Sequence, residues 1–410
     1  MSSQPQIGPN RAGAVAVPAV LKTGADAVER ARALLPRIRA RARQVDSDRL
    51  VPTETIRELI EAGLFGVVMP RVLGGSELGF ETLVKTTVEI ASACGSSGWV
   101  YGVLAGHSWL INLFPVEAQR EIYQNPGTLI STLFRFGGQV RAVPGGYQLT
   151  GGEGRFCSGI DHADWVIIGN QVSREGAAPE PRFFVIPRSV ITEIVDDWYV
   201  AGMRGTGSKT IRVAEAFIPE HFSVSAAEMA AGSAGAKFHG SPIYRMSWRG
   251  IAPYSLIGVP IGIGRAAVAT FAESLHRTTA SFTAEQLAEQ STTFARLAVA
   301  AADVDAAFAT VVENARRLDE AKEPSDISAE QYARVPRDWS YAAQRSRNAV
   351  TSLFEAAGGS AAYDSSEIQR LWRDANASAQ HVAFSWDSAM TTYGRARTGV
   401  SPPQFGPKGR

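Results

Sequence analysis

From about Thr23 to Gln124, apolar residues return every three or four positions, as in ADAVERARALLPRIRARARQVDSDR and TETIRELIEAGLF. That spacing predicts amphipathic helices. Thr53 or Thr55 stands ready to cap the second of them. A third run, FETLVKTTVEIASACGSSGWVYGVLAGHSWLINLF, is apolar nearly all round, as befits a helix at the centre of a bundle. Between about Gly127 and Pro219 the pattern changes. β-branched and aromatic residues alternate with turn residues in GGYQLTGGEGRFCSG, ADWVIIGNQV, PRFFVIP and KTIRVAEAFIP, predicting a small antiparallel β-domain. A Gly/Ala/Ser-rich connection follows, and helical periodicity resumes in four long runs, the last being SSEIQRLWRDANASAQHVAFSWDSAMTTYG.

The expected organisation is therefore a loosely ordered arm (1–22), an N-terminal helical domain (23–125), a central β-domain (126–222), a C-terminal helical bundle (223–395) and a tail (396–410). The fold class is mainly α with a central β-domain.

Composition narrows the chemistry. With 41 basic and 40 acidic residues the formal charge is +1 and no long basic run occurs, so nucleic acid is excluded as an expected partner. Cys94 and Cys157 form neither a disulfide framework nor a metal-ligand spacing. The chain has no uninterrupted apolar stretch of about 18 residues and no secretory layout at its start, which leads us to expect a soluble cytoplasmic protein with no membrane partner. GxSxG, P-loop and HExxH motifs are absent. IGIGRA (261–266) lacks the preceding strand and third glycine of a dinucleotide fingerprint and reads as close helix packing.

YQLTGGEGRFCSGIDHADWVIIG (147–169) and GMRGTGSKTIRVAEAFIP (202–219), lying in this order between two helical regions, resemble the central domain of the acyl-CoA dehydrogenase superfamily. The resemblance covers about 25 to 395. It implies that fold, with a flavin held by strand ends and turns. Many dehydrogenases of this fold carry a catalytic glutamate a few residues after an Arg-Asp-Ala motif. Counting from Arg373-Asp374-Ala375 places Val382 there. YRMSWRGIAPYSL, where some relatives carry the base, has no carboxylate either. Loss of a general base costs roughly 10²–10⁴ in rate, which weighs against a dehydrogenase.

RLWRDANASAQH, ending in His381, resembles instead the flavin-dependent monooxygenases that share this fold, such as the oxygenase components of p-hydroxyphenylacetate 3-hydroxylase and secosteroid phenol hydroxylase. That resemblance implies a two-component system in which FMNH2 or FADH2 reacts with O2 through a C4a-hydroperoxyflavin to hydroxylate an aromatic substrate. It implies catalytic roles for His381 at the peroxide, for Ser158 (in RFCSGID) near flavin N5, and for His107 (in SSGWVYGVLAGHSWL) on the substrate. Trp99, Arg204, Thr206, Ser208 and Arg249 are expected to join Ser158 and His381 in binding the cofactor. No Rossmann unit is present to hold NAD(P)H, so a separate NAD(P)H-dependent flavin reductase is expected. A homotetramer is expected by resemblance. Trp109, Phe134, Arg135, Phe136 and Phe384 are expected to line the substrate pocket.

Taken one at a time, the same residues have plainer readings. His107 would be a satisfied core histidine, Ser158 a turn residue and Arg373-Asp374 a structural ion pair. Three further readings stay open: an acyl-CoA dehydrogenase with a displaced base, an N- or S-oxidising monooxygenase, and a silent helical scaffold.

Overall fold

The computed structural model describes residues 18–400 except 174–175, 177, 233–234, 236, 280–282, 284 and 287–289; the Arg249 side chain also lies outside the described residues. The arm expected at 1–22 is described only from Pro18 onward, and the last ten residues of the expected tail fall outside.

α1 (Gly24–Asp48) starts where the Thr23 hydroxyl accepts the Asp26 amide hydrogen. Its buried stripe, Ala27, Ala31, Leu34, Ile38, Ala42 and Val45, has the three-and-four spacing read from the sequence. α2 (Thr53–Glu61) is capped by neither Thr53 nor Thr55. Pro52 occupies the cap position, and the Thr55 hydroxyl instead accepts from Arg41 at 3.1 Å. α3 (Phe80–Ala93) and α4 (Gly95–Ile111) follow, and every residue of α4 is buried. α4 can sit this deep because Gly102 has no side chain: a Cβ there would lie 1.9 Å from the Ser255 carbonyl oxygen.

After α5 (Val116–Ile122) the described residues form eight strands: β1 (Ile130–Leu133), β2 (Val140–Val143), β3 (Gly146–Cys157), β4 (Trp165–Ser173), β5 (Glu180–Pro187), β6 (Ile191–Val195), β7 (Lys209–Pro219) and β8 (Ser223–Ser225). They form one sheet in the order β6-β7-β3-β2-β4-β5-β8, with β1 also against β4. The sheet is mixed, which corrects the antiparallel expectation: β1 and β2 both pair with β4 in parallel. Parallel neighbours need a crossover rather than a tight turn, and here the β2–β3 hairpin lies within it. Apolar alternation shows that a strand exists but not which way its partner runs.

The helices resume with α6 (Ala226–Ala231), α7 (Tyr254–Thr279), α8 (Ser291–Glu320), α9 (Ala329–Ala356), α10 (Glu367–Ser378) and α11 (Trp386–Thr398). α9 starts at a capping box between Ser328 and Gln331. α7 is long and apolar enough to cross a membrane by length and composition, but most of it is buried inside the fold. IGIGRA lies within this helix, with Ile261 and Ile263 fully buried. α3 and α4 pack on α7, so the two helical regions share one core.

Candidate active site

Where the ends of β1 and β3 meet α4 and the turn after α10, a cavity of about 660 Å³ opens. Its floor is a chain of hydroxyls. Thr206 and Ser208 are 2.8 Å apart, Ser208 and Ser158 are 2.7 Å apart, and the Trp99 indole N–H donates to Ser158 at 3.2 Å. The Ser131 hydroxyl donates to the Ser158 carbonyl at 2.7 Å, fixing the turn from below. The neighbouring Cys157 thiol is pushed up to about 12 by burial, so it stays protonated and is no nucleophile.

The turn carrying Ser158 owes its shape to a bulge. β3 and β7 shift register between Gly154 and Cys157, and Phe156 takes φ +70°. This conformation disfavours a bulky side chain and turns the Phe156 ring outward, 65% exposed, into the cavity. There it meets the edge of Trp198 at 6.0 Å.

The opposite wall, 198–203, is held by the Arg373-Asp374 motif. Arg373 pairs with Asp46 at 2.7 Å and donates to the Ala201 carbonyl at 2.9 Å; Asp374 accepts the Met203 amide hydrogen at 2.6 Å and lies 3.6 Å from Arg370. The motif is thus structural, but each member pairs elsewhere rather than with its neighbour. Gly202 is required by this clamp, since a Cβ there would lie 2.2 Å from the Arg373 carbonyl oxygen. Burial pushes the Asp374 carboxyl above its ordinary range.

His381 closes the cavity beside Trp99, their rings edge to face at 5.5 Å. Its Nδ1 accepts the Ala383 amide hydrogen at 3.2 Å, so the neutral ring carries its proton on Nε2. Burial lowers its pKa to about 4. Val382, at the position counted for a dehydrogenase's glutamate, also lines the cavity and is 82% exposed. No Asp or Glu occurs among the described residues of the lining.

The structure therefore brings together Trp99, Ser158, Thr206, Ser208 and His381. It does not bring His107 to the cavity wall. That ring lies eight residues past Trp99 on α4, about 12 Å along the axis, and its Nδ1–H donates to the Ile130 carbonyl at 2.8 Å. Burial lowers its pKa to about 4 as well. Arg204 sits on the same turn as Thr206, with its Nε buried and without a partner, yet it does not line the cavity. Phe134 and Arg135 line it as expected, whereas Trp109, Phe136 and Phe384 do not. Trp109 is buried in the helical core, where its indole N–H donates to the Ile243 carbonyl. Phe136 packs beside Gly138 and Gly154, and Phe384 supports His381 from behind.

Sequence reasoning missed Phe156, Trp198, Met203 and Thr132. Phe156 and Met203 owe their places to positive φ, which apolar patterning does not encode. Thr132 lines the cavity with its hydroxyl buried and without a partner. Such a group, costly to leave unsatisfied, points to a polar ligand atom in front of it. An orphaned hydroxyl, a chain of further hydroxyls and flat apolar walls fit the polar edge and apolar rings of a flavin.

The helical-sheet-helical order and this cavity define a flavoenzyme of the acyl-CoA dehydrogenase fold. Family models described as the N-terminal and C-terminal domains of acyl-CoA dehydrogenase match residues 26–126 and 255–386. The oxygenase subunit HsaA of a flavin-dependent monooxygenase from Mycobacterium tuberculosis is 35% identical over 376 residues, 90% of this chain and 94% of that one. The oxygenase component of an FADH2-dependent resorcinol hydroxylase from Rhizobium is 32% identical over 94% of this chain and 97% of its own. A crystal structure of the M. tuberculosis HsaA monooxygenase superposes with TM-score 0.85 at 34% identity, covering 93% of this chain and 99% of that one. The chain belongs to the flavin-dependent monooxygenases, as an oxygenase component of the two-component kind.

Proposed function

We propose that this chain hydroxylates a phenolic or related aromatic compound with O2 and with FMNH2 or FADH2 delivered by a separate NAD(P)H-dependent reductase, and that Ser158, His381 and His107 carry the chemistry. The observation that carries this reading is the cavity lining: a neutral histidine and linked hydroxyls, with Val382 where a dehydrogenase needs its base. Reduced flavin, when bound, supplies the electrons that let O2 place one oxygen atom on the substrate.

The protein's part is to position, to hold protons and to keep water out. Ser158, fixed between the Trp99 indole and Ser208, is assigned to the proton at flavin N5, which its hydroxyl would hold when the flavin is bound. His381 offers Nε2–H as a hydrogen-bond donor to the reacting oxygen, and its low pKa keeps it a neutral donor at pH 7. Trp99, Thr206, Ser208 and the orphaned Thr132 hydroxyl are assigned to the ring and its polar edge, and Arg204 to a more distant oxygen. Phe156, Trp198, Met203 and Val382 exclude water.

His107 is assigned to the substrate from behind the cavity wall. With Nδ1–H given to Ile130, its Nε2 remains as an acceptor for the phenolic proton of a guest that passes the wall at Thr132, two residues from Ile130. Phe134, Phe156 and Trp198 make walls suited to a flat aromatic guest. Relatives of this chain include hydroxylases of resorcinol and of p-hydroxyphenylacetate, which supports a phenol here. A homotetramer is supported by apolar side chains left exposed on the late helices, Val299 and Trp386 among them.

The test is turnover of a panel of phenols with NADH and an unrelated flavin reductase, with product and hydrogen peroxide both quantified. Hydroxylated product from at least one phenol is expected. Peroxide alone from every phenol, together with reduction of bound FAD by an acyl-CoA, would replace this reading with a dehydrogenase.

A further inference from the structure

Two guanidiniums at the cavity have no part in the reading above. Arg135 follows β1 and Arg155 lies near the end of β3; both line the cavity and both are exposed. Among the described residues neither makes a hydrogen bond or an ion pair; Arg155 only rests over the Phe156 ring at 5.8 Å. Their backbones run side by side, with the Gly137 amide donating to the Glu153 carbonyl at 2.9 Å and a Cβ on Gly154 falling 3.4 Å from the Arg135 carbonyl oxygen. The two charges therefore rise from one rim.

Nearby cations are otherwise engaged: Arg49 is held by Asp196 at 2.7 Å and Arg373 by Asp46 at 2.7 Å. Asp197, whose charge reaches Arg155, gives its two oxygens to the amide and hydroxyl of Thr210. With no carboxylate in the described lining, the rim carries two guanidiniums that no described residue pairs, Asp197 acting on Arg155 only at a distance. A guanidinium is a planar fork that fits an oxyanion with two parallel hydrogen bonds.

We propose that Arg135 and Arg155 form an oxyanion subsite at the rim of the cavity, taking the charged end of a molecule whose flat end lies against Trp99, Ser158 and His381. The inference rests on the flavin and substrate reading of this cavity. Two bound molecules carry that chemistry: a flavin, through its phosphate, and an aromatic acid, through its carboxylate. Ser158 follows Arg155 by three residues across the bulge and turn that end β3, and three residues of chain span at most about 10 Å, so one ligand can reach both.

The test is anaerobic binding to the full-length chain, by calorimetry, of photoreduced FMN against photoreduced riboflavin, and of p-hydroxyphenylacetate against its amide with reduced flavin present. The variants are Arg135→Gln, Arg155→Gln and the double substitution. The native chain should prefer one charged ligand over its neutral twin, by about tenfold or more for each arginine. In the double variant that ratio should fall toward one while the neutral twin binds as before, and Arg155→Lys should be intermediate. Rising salt should weaken the charged ligand on the native chain and not on the double variant. Loss of preference for FMN identifies phosphate, and loss of preference for the acid identifies carboxylate. Unchanged ratios in the double variant overturn the subsite. Failure of every flavin and phenol to bind the native chain overturns the underlying reading as well. Melting temperatures should not move, because neither side chain holds a partner.

Discussion

His107 and His381 make an instructive pair. Both are neutral imidazoles, and burial brings each to a pKa of about 4. They differ in the one backbone group each meets. Ile130 offers His107 a carbonyl oxygen, which can only accept, so the proton sits on Nδ1 and Nε2 is left as a base. Ala383 offers His381 an amide hydrogen, which can only donate, so Nδ1 is the acceptor and Nε2 carries the proton. The same side chain is thereby set up as proton acceptor on a fully buried helix and as hydrogen-bond donor on the turn at Val382–Phe384.

The largest effect should be one the two rings share. Each has a folded pKa below the value of about 6.5 it has in the unfolded chain, so on acidification the unfolded chain takes up the extra proton first. The stability each ring contributes is complete above about pH 6.5 and is lost as pH falls toward 4, by about 3 kcal/mol per ring. Urea unfolding followed across this window should show the loss, and His107→Asn should flatten it. An unaltered slope in that variant would mean that the His107 ring takes up its proton in the folded chain as readily as in the unfolded one.

The catalytic contrast comes next. His107→Ala should slow phenol hydroxylation by about 10²-fold or more, the effect of losing a general base, with reduced flavin still bound. His381→Ala should instead divert oxygen to hydrogen peroxide, lowering product per flavin consumed by about tenfold or more, an effect of the size expected for one lost hydrogen bond to a charged group. Stopped reactions with peroxide and product measured together distinguish the two; identical product-to-peroxide ratios would erase the contrast. The smallest effect should come from His381→Gln, whose amide N–H can stand near the lost Nε2–H and should restore part of the coupling that His381→Ala removes. No recovery would show that the imidazole acts through something other than its donor.

The helical and strand regions were legible in the sequence because periodicity follows burial. The stripe from Ala27 to Val45 and the all-apolar α4 read directly as what they are. The parallel pairing of β1 with β4 was not legible, since alternation is the same for either direction. Of the site, Trp99, Ser158 and His381 could be found from motif resemblance, and Thr206 and Ser208 from their turn. The wall at 198–203 could not, because it has no period; Asp46, Arg373 and Asp374 shape it across long sequence separations. Trp109 was misplaced for a related reason: its aromatic character fits a pocket and a helical core equally well, and the Ile243 carbonyl decides for the core.

The central claim is that this cavity transfers an oxygen atom from O2 to a phenol with electrons carried in by free reduced flavin. The most direct measurement supplies chemically reduced FMN or FAD to the purified chain without NAD(P)H or reductase, then isotopically labelled oxygen gas with a phenol, and analyses the product by mass spectrometry. The account expects one labelled oxygen atom in a hydroxylated product, with His381→Ala returning the label as hydrogen peroxide. Unlabelled product, or label found only in peroxide for every phenol with the native chain, would contradict it.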